Sequence, residues 1–387
     1  MILRAKSISD TLIYKYINNM KRFLILFVAA IAVSCGGDVK LDNVYNIALP
    51  EDFCGLSEEI KTDFEIIKLY EEDDNALVSD IEEIIPYKDR LYIRTSMMGG
   101  SRLFIFKNSG EFIKKFSQGR GHGEFTGAKD ILVDEQTGIV EVLSGVSVYC
   151  YDADGRFLEK RNLPKANILA FEKIGEDYLL YTPRLSEQNK HYYRLYNCAT
   201  KTEERLLEGF DLPVVDIKPN IFKDVTGRVC FKGMYGDTIY TLDENRQCVA
   251  VTTLAPFLNE TPSSNFKRVS DLAKTLGDEY ALFSGVTNFG SRLWGMSVSG
   301  EKNYDIIYDS QTHTTYKNLF NSIRGVNCVG CYDGWWYYTV YPDMVANIKD
   351  NCPNDKRVDA IVKDLEQIVR TNPDDENPLI VRLRYRL

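Results

Sequence analysis

The sequence predicts an all-β protein, a six-bladed β-propeller with four-stranded blades and one or two helical insertions. The first observation is a recurring unit, in which an apolar strand ending in an aromatic residue or leucine is followed by a polar turn and another strand. Successive copies are 45, 45, 46 and 66 residues apart, as measured between Phe106, Tyr151, Tyr196, Leu242 and Tyr308. A period near 45 residues is that of a four-stranded propeller blade, and the last spacing requires an insertion of about twenty residues.

The second observation is that another strand, usually opened by a glycine or a charged turn, precedes each unit and occurs six times, once more than the unit itself. These six segments are Arg90–Thr95, Gly138–Leu143, Asp177–Thr182, Gly227–Lys232, Ser291–Met296 and Gly334–Val340. The third observation is the composition, which is 12% aromatic with 24 Tyr and 19 Phe. Aromatic residues favour the half-buried, pleated surface of a sheet, so the composition agrees with the repeat.

The two ends of the repeat region predict how the ring closes. The segment Leu379–Leu387 reads as a strand of the sixth blade, and the segment 64–69 is its expected outer partner. Pairing of these segments would remove exposed sheet edges. The propeller is therefore expected to occupy residues 61–387.

Two segments between strands show helical patterns. Lys356–Arg370 has apolar residues at the 3.6-residue period of an amphipathic helix, and Asn372-Pro373 ends it. The second segment, 263–276, supplies the extra length between blades 4 and 5 and has Ser263 or Ser264 as its cap.

The start of the chain has the pattern of a signal peptide. Lys21 and Arg22 precede the eleven apolar residues Phe23–Val33, and small residues follow. Such a run is a signal-peptide core and is too short to span a bilayer. We expect translation to begin at Met20, with residues 1–19 untranslated and 20–34 as the signal peptide.

A cysteine, Cys35, directly follows Ala32-Val33-Ser34, and this resembles the lipobox of bacterial lipoproteins, although Ala32 stands where leucine is usual. The resemblance implies that Cys35 is lipidated and becomes the mature N-terminus, with residues 35–60 as tether and lead-in. It also implies a lipid-anchored protein of the cell envelope. Because Gly36-Gly37 lack an acidic residue beside the cysteine, the outer membrane is expected, on either its periplasmic or its outer face.

Charge and histidine content exclude two classes of function. The net charge is −9 and no run of Lys or Arg follows residue 22, so a nucleic-acid partner is not expected. The three histidines, His122, His191 and His313, are far apart in sequence, which argues against a multi-histidine metal site. No cofactor is expected, apart from the calcium considered below.

A glycine-rich segment lies between blades 1 and 2. Gly119-Arg-Gly-His-Gly-Glu-Phe125 lacks the following helix that a phosphate-binding loop needs, so the glycines are expected to permit a tight crossing between blades. The segment resembles a junction of NHL-like six-bladed propellers. Together with the lipobox and the ending Asp374–Val381, it resembles the six-bladed β-propeller lipoproteins of Bacteroidetes. That resemblance implies the fold more than an activity.

Four residues are candidates for ligand binding. Trp335 and Trp336 begin the run Trp-Trp-Tyr-Tyr, which alternates between two sheet faces, and an aromatic ring on one face could stack on a sugar. Arg120 and His122 lie in the distinctive glycine-rich segment. The alternative interpretation, that the aromatic residues all pack between blades, is favoured for the tryptophans.

The cysteines offer two further hypotheses. Cys328-Val-Gly-Cys331 is a redox or metal signal that is weak when it stands alone, and small side chains of an inner strand of blade 6 are the favoured interpretation. Cys54 and Cys352 lie outside the repeats and are candidates for a disulfide in an oxidising compartment.

The leading functional hypothesis is a non-catalytic binding or scaffold module for a carbohydrate, peptide or envelope protein. It rests on the lack of a convincing catalytic motif, since no GxSxG elbow is present. The alternative is a hydrolase or lactonase at the channel mouth. Asp130 and Asp134 flank a strand and could line the channel, where calcium-dependent lactonase propellers use carboxylates.

Overall fold

The computed structural model describes most of the repeat region. Of the 387 residues, it describes 44–46, 56, 58–70, 75–96, 101–182, 191–208, 221–232, 238–255, 282–299, 304–320, 323, 325–351, 355–373 and 375–387. The expected signal peptide, Cys35 and the expected helix at 263–276 lie outside these ranges.

Most of the regular structure in the described residues is β-strand, as the aromatic composition predicts. In chain order the first strands are β1 (Val44–Asn46), β2 (Lys61–Lys68), β3 (Ile81–Tyr87), β4 (Arg90–Thr95), β5 (Arg102–Lys107), β6 (Phe112–Lys115), β7 (Asp130–Val133), β8 (Val140–Ser144), β9 (Ser147–Tyr151), β10 (Phe157–Asn162), β11 (Ala170–Ile174), β12 (Asp177–Tyr181), β13 (His191–Tyr196) and β14 (Glu203–Glu208). The remaining strands are β15 (Ile221–Lys223), β16 (Val229–Lys232), β17 (Thr238–Leu242), β18 (Cys248–Ala255), β19 (Leu282–Thr287), β20 (Leu293–Ser299), β21 (Tyr304–Asp309), β22 (Thr314–Lys317), β23 (Val326–Tyr332), β24 (Trp335–Val340) and β25 (Leu379–Arg386).

These strands form six antiparallel blades, which confirms the predicted six-bladed propeller. Blades 1 to 5 are β3–β6, β7–β10, β11–β14, β15–β18 and β19–β22, each in sequence order. Blade 6 has the order β23-β24-β25-β2. The first strands of neighbouring blades meet, since β23 contacts β3, β3 contacts β7 and β7 contacts β11. The first strand of each blade therefore lines the centre of the ring.

Ring closure follows the predicted pairing of the two chain ends. Strand β2 pairs antiparallel with β25 over its whole length, from Lys61 opposite Arg386 to Lys68 opposite Leu379. The loop that leads from β2 to blade 1 is fastened by Asn377, which is 2% exposed. Its Oδ1 accepts a hydrogen bond from the Val78 amide at 2.6 Å, and its Nδ2 donates to the Ala76 carbonyl at 2.9 Å. One amide side chain thus joins the C-terminal segment to the start of the ring.

The polar turns between the third and fourth strands share one backbone feature. Each of the turns in blades 1 to 5 contains a residue with positive φ, namely Gly110, Gly155, Lys201, Arg246 and His313. Glycine adopts this conformation without steric cost, whereas other residues need the surrounding turn to hold them. The sequence repeat is therefore a repeat of turn geometry, carried by glycine in only two of the five cases.

Two helices lie beside blade 6. A 3₁₀ turn at Pro342–Met344 leads into α1 (Val345–Asn351), and α2 spans Lys356–Thr371, where the sequence predicts a helix. The side chain of Asp355 caps α2 by accepting from the Arg357 amide at 2.9 Å. The apolar stripe of α2 joins the core of blade 6, and Arg357 donates to the carbonyls of Leu56 and Ile60. None of the helices in the described part of the chain is both long and apolar enough to cross a bilayer.

Strand β1 adds a fifth strand to blade 4. It pairs parallel with β18, with Val44 opposite Thr253 and Asn46 opposite Ala255. The predicted lead-in, residues 35–60, thus contains a short strand that docks on the outer edge of blade 4 before the chain reaches blade 6.

We expect the substitution Asn377→Ala to destabilise the propeller by about 1–3 kcal/mol, because the Val78 amide and the Ala76 carbonyl would lose their partner in a buried site. Urea unfolding followed by far-UV circular dichroism would measure the change. The control is Asn245→Ala in an exposed turn, for which a change within about 0.5 kcal/mol is expected. Equal stability of the two variants would contradict the role assigned to Asn377.

Candidate functional site

Charged side chains from four consecutive blades converge near the centre of the ring. We call Glu83, Arg94, Asp130, Glu172 and Lys223 the channel cluster. Four of them lie on first strands, β3, β7, β11 and β15, and Arg94 lies on β4 directly opposite Glu83. Because the first strands line the channel, these charges face a shared central space.

Arg94 connects the blade 1 part of the cluster. Its Nε donates to Glu83 Oε2 at 2.9 Å, and its Nη1 pairs with Glu82. The Arg94 side chain is only 9% exposed, so the ion pairs are shielded from solvent. Burial lowers the pKa of Arg94, but Glu83 and its acidic neighbours outweigh this and raise it above its usual value. Arg94 therefore stays charged and holds two carboxylates at the channel.

Asp130 links blades 1, 2 and 3. Its Oδ2 accepts a hydrogen bond from the backbone amide of Phe171 at 2.9 Å. Burial raises the pKa of Asp130, and the carboxylate of Glu83 adds to the rise, whereas Arg94 and the Phe171 amide oppose it. A carboxyl group that holds its proton at higher pH can donate as well as accept a hydrogen bond.

Glu172 and Lys223 extend the cluster to blade 4. The Glu172 carboxylate lies 3.7 Å from the Lys223 ammonium, which is also 3.5 Å from Glu135 in the turn after β7. Burial raises the pKa of Glu172, and the nearby Lys223 acts in the opposite direction. On blade 6, Tyr332 lies close enough to Glu83, Glu172 and Asp130 for their charges to add to the burial that raises its pKa. Five blades thus contribute polar groups to one space.

A second set of charges joins blades 2 and 3 beside the cluster. Glu141 is 1% exposed, and it accepts hydrogen bonds from Tyr178 at 2.9 Å and from Arg161 at 3.0 Å. Lys173 pairs with Asp134 at 3.2 Å. Burial tends to raise the pKa of Asp134, but hydrogen bonds from Thr137 and the Lys173 contact outweigh it and lower the pKa to about 2. Asp130 and Asp134, which the sequence placed at the two ends of one strand, thus have opposite electrostatic environments.

The geometry gives no preformed metal centre in the part of the chain that the structure describes. No three His, Cys, Asp or Glu side chains there lie close enough together to hold one ion. The carboxylates of the channel cluster are instead paired with Arg94, Lys223 and backbone amides. Their arrangement is suited to hydrogen bonding with a polar ligand.

The two tryptophans proposed from the sequence have different environments. Trp336 is 4% exposed, and its ring packs edge-on against the ring of Tyr385, with 5.6 Å between the ring centroids. Any side chain at Gly295 of blade 5 would collide with the Trp336 ring. Trp335 is half-buried, with the guanidinium groups of Arg382 and Arg384 at 4.9 and 4.7 Å from its ring. The interpretation as inter-blade packing therefore describes Trp336, whereas Trp335 keeps part of its ring at the surface.

Arg120 and His122 lie between blades 1 and 2, away from the channel cluster. His122 is exposed and packs edge-on against Phe157 of β10 at 4.9 Å, while Phe125 of the same segment is fully buried. Gly123 has φ +72°, and a side chain there would collide with Phe157. This is the close crossing that the glycines were expected to permit. Glu124 accepts from the Gly121 amide at 2.9 Å.

The remaining candidates are the cysteines. Cys54 and Cys352, the proposed disulfide, lie outside the described residues, as does Cys35. Cys328 and Cys331 are half-buried thiols on the inner strand β23, where the sequence placed them. Burial raises the pKa of the Cys331 thiol, and the neighbouring Cys328 adds to the rise.

Sequence reasoning missed Glu83, Arg94, Glu172, Lys223 and Tyr332 as site residues. A charged residue in an otherwise apolar first strand, such as Glu172 beside Phe171, was the signal that could have indicated them. Only the ring shows that these separate positions converge.

The fold and this channel define the class of protein: a six-bladed β-propeller with a charged central channel. The chain belongs to the family described as a domain of unknown function, DUF4934, which matches residues 55–384. A search of the curated proteins finds no match.

Solved structures of similar fold include two from Bacteroides species. One is a Bacteroides fragilis NCTC 9343 protein assigned as exported, with TM-score 0.64 and 18% identity, covering 84% of this chain and 96% of that one. The other is a DUF4221 family member from Bacteroides vulgatus ATCC 8482, with TM-score 0.50 and 8% identity, covering 84% of this chain and 98% of that one. At these identities the likeness shows the fold alone.

The opposite pKa shifts of Asp130 and Asp134 predict opposite pH dependence. A carboxyl whose pKa is raised by folding loses its contribution to stability as the pH rises above its unfolded pKa of about 4. Asp130→Asn should therefore gain stability relative to the wild type between about pH 4 and pH 7. Asp134, whose pKa is lowered, stabilises above about pH 4 and loses this as the pH falls toward 2, so Asp134→Asn should be most costly near neutral pH.

Urea unfolding midpoints of the wild type and both variants, measured across that range, would test the prediction. Each variant serves as the control of the other, because both remove one carboxylate from blade 2. Differences from the wild type that follow pH in the same direction for both variants would refute the assignment.

Proposed function

We propose that this protein is a lipid-anchored binding module of the cell envelope, whose propeller holds a glycan, a peptide or a partner protein at the channel cluster. The observation that carries the proposal is the convergence of Glu83, Asp130 and Glu172 with Arg94 and Lys223 on one central space. Polar groups from separate strands of a rigid scaffold form the kind of preformed site that fixes the orientation of a ligand.

The proposed location rests on the N-terminal sequence, where a lipobox-like cysteine follows a signal-peptide pattern. The similarity in fold to a Bacteroides protein assigned as exported supports it. A lipid on Cys35 would hold the chain at a membrane without a spanning helix.

The docking of β1 limits how far the anchored propeller can lie from the bilayer. Val44 follows Cys35 by nine residues, and nine fully extended residues reach at most about 31 Å. Without the docking of β1, the chain from Cys35 to Lys61 could span nearly three times this distance. The rim of the ring at blade 4 would therefore lie nearest the membrane.

A second candidate function is a hydrolase or lactonase at the same channel. It is favoured by the raised pKa values of Asp130 and Glu172, because a carboxyl group whose pKa is raised holds its proton to higher pH and can then act as a general acid. The two candidates share the site and differ in whether a bound ligand is turned over.

Replacement of the proposed anchor tests the location. We expect Cys35→Ala to move the protein from the membrane fraction to the soluble fraction, because no lipid can be attached. Mass spectrometry of the wild-type N-terminal peptide should show a lipid on Cys35. The control is Cys198→Ala, which keeps the membrane fraction. A wild-type protein that lacks lipid would contradict the proposal.

Ligand binding at the channel can be tested with oligosaccharides and peptides in a thermal-shift screen, followed by calorimetry on those that stabilise the chain. Glu172→Gln and Lys223→Met should each weaken binding by tenfold or more, about 1.4 kcal/mol. The matched controls are the exposed residues in Glu204→Gln and Lys165→Met, which should leave the affinity unchanged.

The outcomes separate the hypotheses. A ligand that binds equally to all four variants would place its site away from the channel and overturn the proposal. Hydrolysis of a bound ester or lactone that is lost in Asp130→Asn would favour the enzyme, as would stabilisation by added calcium that is lost in the same variant.

A further inference from the structure

The motif Cys328-Val-Gly-Cys331 has a geometry that its spacing does not predict. Side chains alternate between the two faces of a regular strand, so residues three positions apart point to opposite faces. On a regular β23, the two thiols would therefore be separated by the sheet.

A β-bulge in β23 changes this arrangement. Cys328 pairs with Tyr338, Gly330 pairs with Tyr337 and Cys331 pairs with Trp336, with a register shift between Cys328 and Gly330. The partners of the two cysteines, Tyr338 and Trp336, are two residues apart and share one face of β24. Both cysteines accordingly pack against the same hydrophobic cluster of blade 6. The extra residue of the bulge brings the two thiols to one side of the strand.

Contacts with blade 1 hold the bulge in place. A side chain on Gly330 would come within 3.0 Å of the Ile84 carbonyl and 2.8 Å of the Tyr332 ring. Only glycine allows this close approach between the inner strands of blades 6 and 1. The bulge is therefore part of the ring packing and is present before any ligand arrives.

The expected separation of the cysteines is suited to a bridging ion. Two positions along a strand are about 6.7 Å apart, close to the upper limit of about 6.8 Å between the Cα atoms of a disulfide. A direct sulfur–sulfur bond, only about 2.05 Å long, would lie at the edge of this range, and both cysteines are free thiols in the structure. Two metal–sulfur bonds of about 2.3 Å span up to about 4.6 Å between the sulfurs and need less movement.

We propose that Cys328 and Cys331 form a two-coordinate site for a soft monovalent metal ion, with Cu(I) as the ion that two thiolates suit best. Soft sulfur ligands select Cu(I) over hard cations. A structural zinc site needs four ligands, and among the described residues no group of three candidate ligands occurs. Binding releases the two thiol protons to solvent and leaves the oxidation state of the metal unchanged.

The site lies on the inner strand of blade 6, and both thiols are half-buried. Tyr338 and Trp336 lie beside them on β24 and are themselves buried, which limits the access of water to a bound ion. This site is separate from the channel cluster, so its test does not depend on the proposed ligand-binding function.

The test uses the full chain in reduced form and Cu(I) supplied as a coloured bicinchoninate complex, whose loss of absorbance reports transfer to the protein. The wild type should take up one more equivalent than Cys328→Ser or Cys331→Ser. Loss of a residue that only supports a metal ligand lowers metal affinity roughly 10–100-fold. Loss of Cys328 or Cys331 should lower the affinity for Cu(I) by more than this. Cys198→Ser, a half-buried thiol in a turn of blade 3, is the control and should match the wild type.

A second measurement keeps the proposal testable if a variant folds poorly. X-ray absorption at the copper edge of the wild-type complex should show a shell of two sulfur atoms. Uptake that is equal in the wild type and both variants would overturn the proposal, and so would a shell of nitrogen or oxygen. Thiol alkylation that finds Cys328 and Cys331 joined in a disulfide under the same reducing conditions would also overturn it.

Discussion

The pairing of β2 with β25 is the interaction on which the rest of the structure depends. A propeller blade buries its faces only against its neighbours, so an open ring would leave two blade faces in water. Here the last blade takes three strands from the C-terminal part of the chain and one from the N-terminal part. The pair joins residues more than 300 positions apart, so closure carries a large entropic cost, which the buried contacts around it offset. Asn377 and helix α2 both stabilise this junction.

Closure also creates the electrostatic environment of the channel. Once the first strands converge, carboxylates from blades 1, 2 and 3 lie close together and are largely buried, which would cost several kcal/mol if they were unpaired. Arg94, Lys223 and the backbone amide of Phe171 reduce that cost by supplying opposite charge and hydrogen bonds. These interactions offset only part of the cost of burying the carboxylates, because the pKa values of Asp130 and Glu172 remain raised. Carboxyl groups whose pKa values stay raised in this way are typical of ligand-binding and catalytic sites.

Close packing between blades depends on a few positions without a side chain. Gly295 makes room for the ring of Trp336 between blades 5 and 6, and Gly330 lets the bulged strand of blade 6 approach blade 1. Gly123 does the same for the segment between blades 1 and 2. The same requirement therefore explains a buried tryptophan, a β-bulge and a glycine-rich segment that could be mistaken for a phosphate loop.

The sequence by itself determined the six-bladed ring, its closing strand pair and the helix predicted at Lys356–Arg370, because strand alternation, turn spacing and helical periodicity are local patterns. It also indicated Asp130 as a channel residue. It missed Glu83 and Glu172 as neighbours of Asp130 and Lys223 as the partner of Glu172, since these residues lie on different blades and only the ring brings them together. It could not show that Cys328 and Cys331 share a face, because the bulge depends on a contact with blade 1. Periodicity depends on residues that are neighbours in the sequence. Side-chain convergence and register shifts depend on packing between residues that are far apart in the sequence.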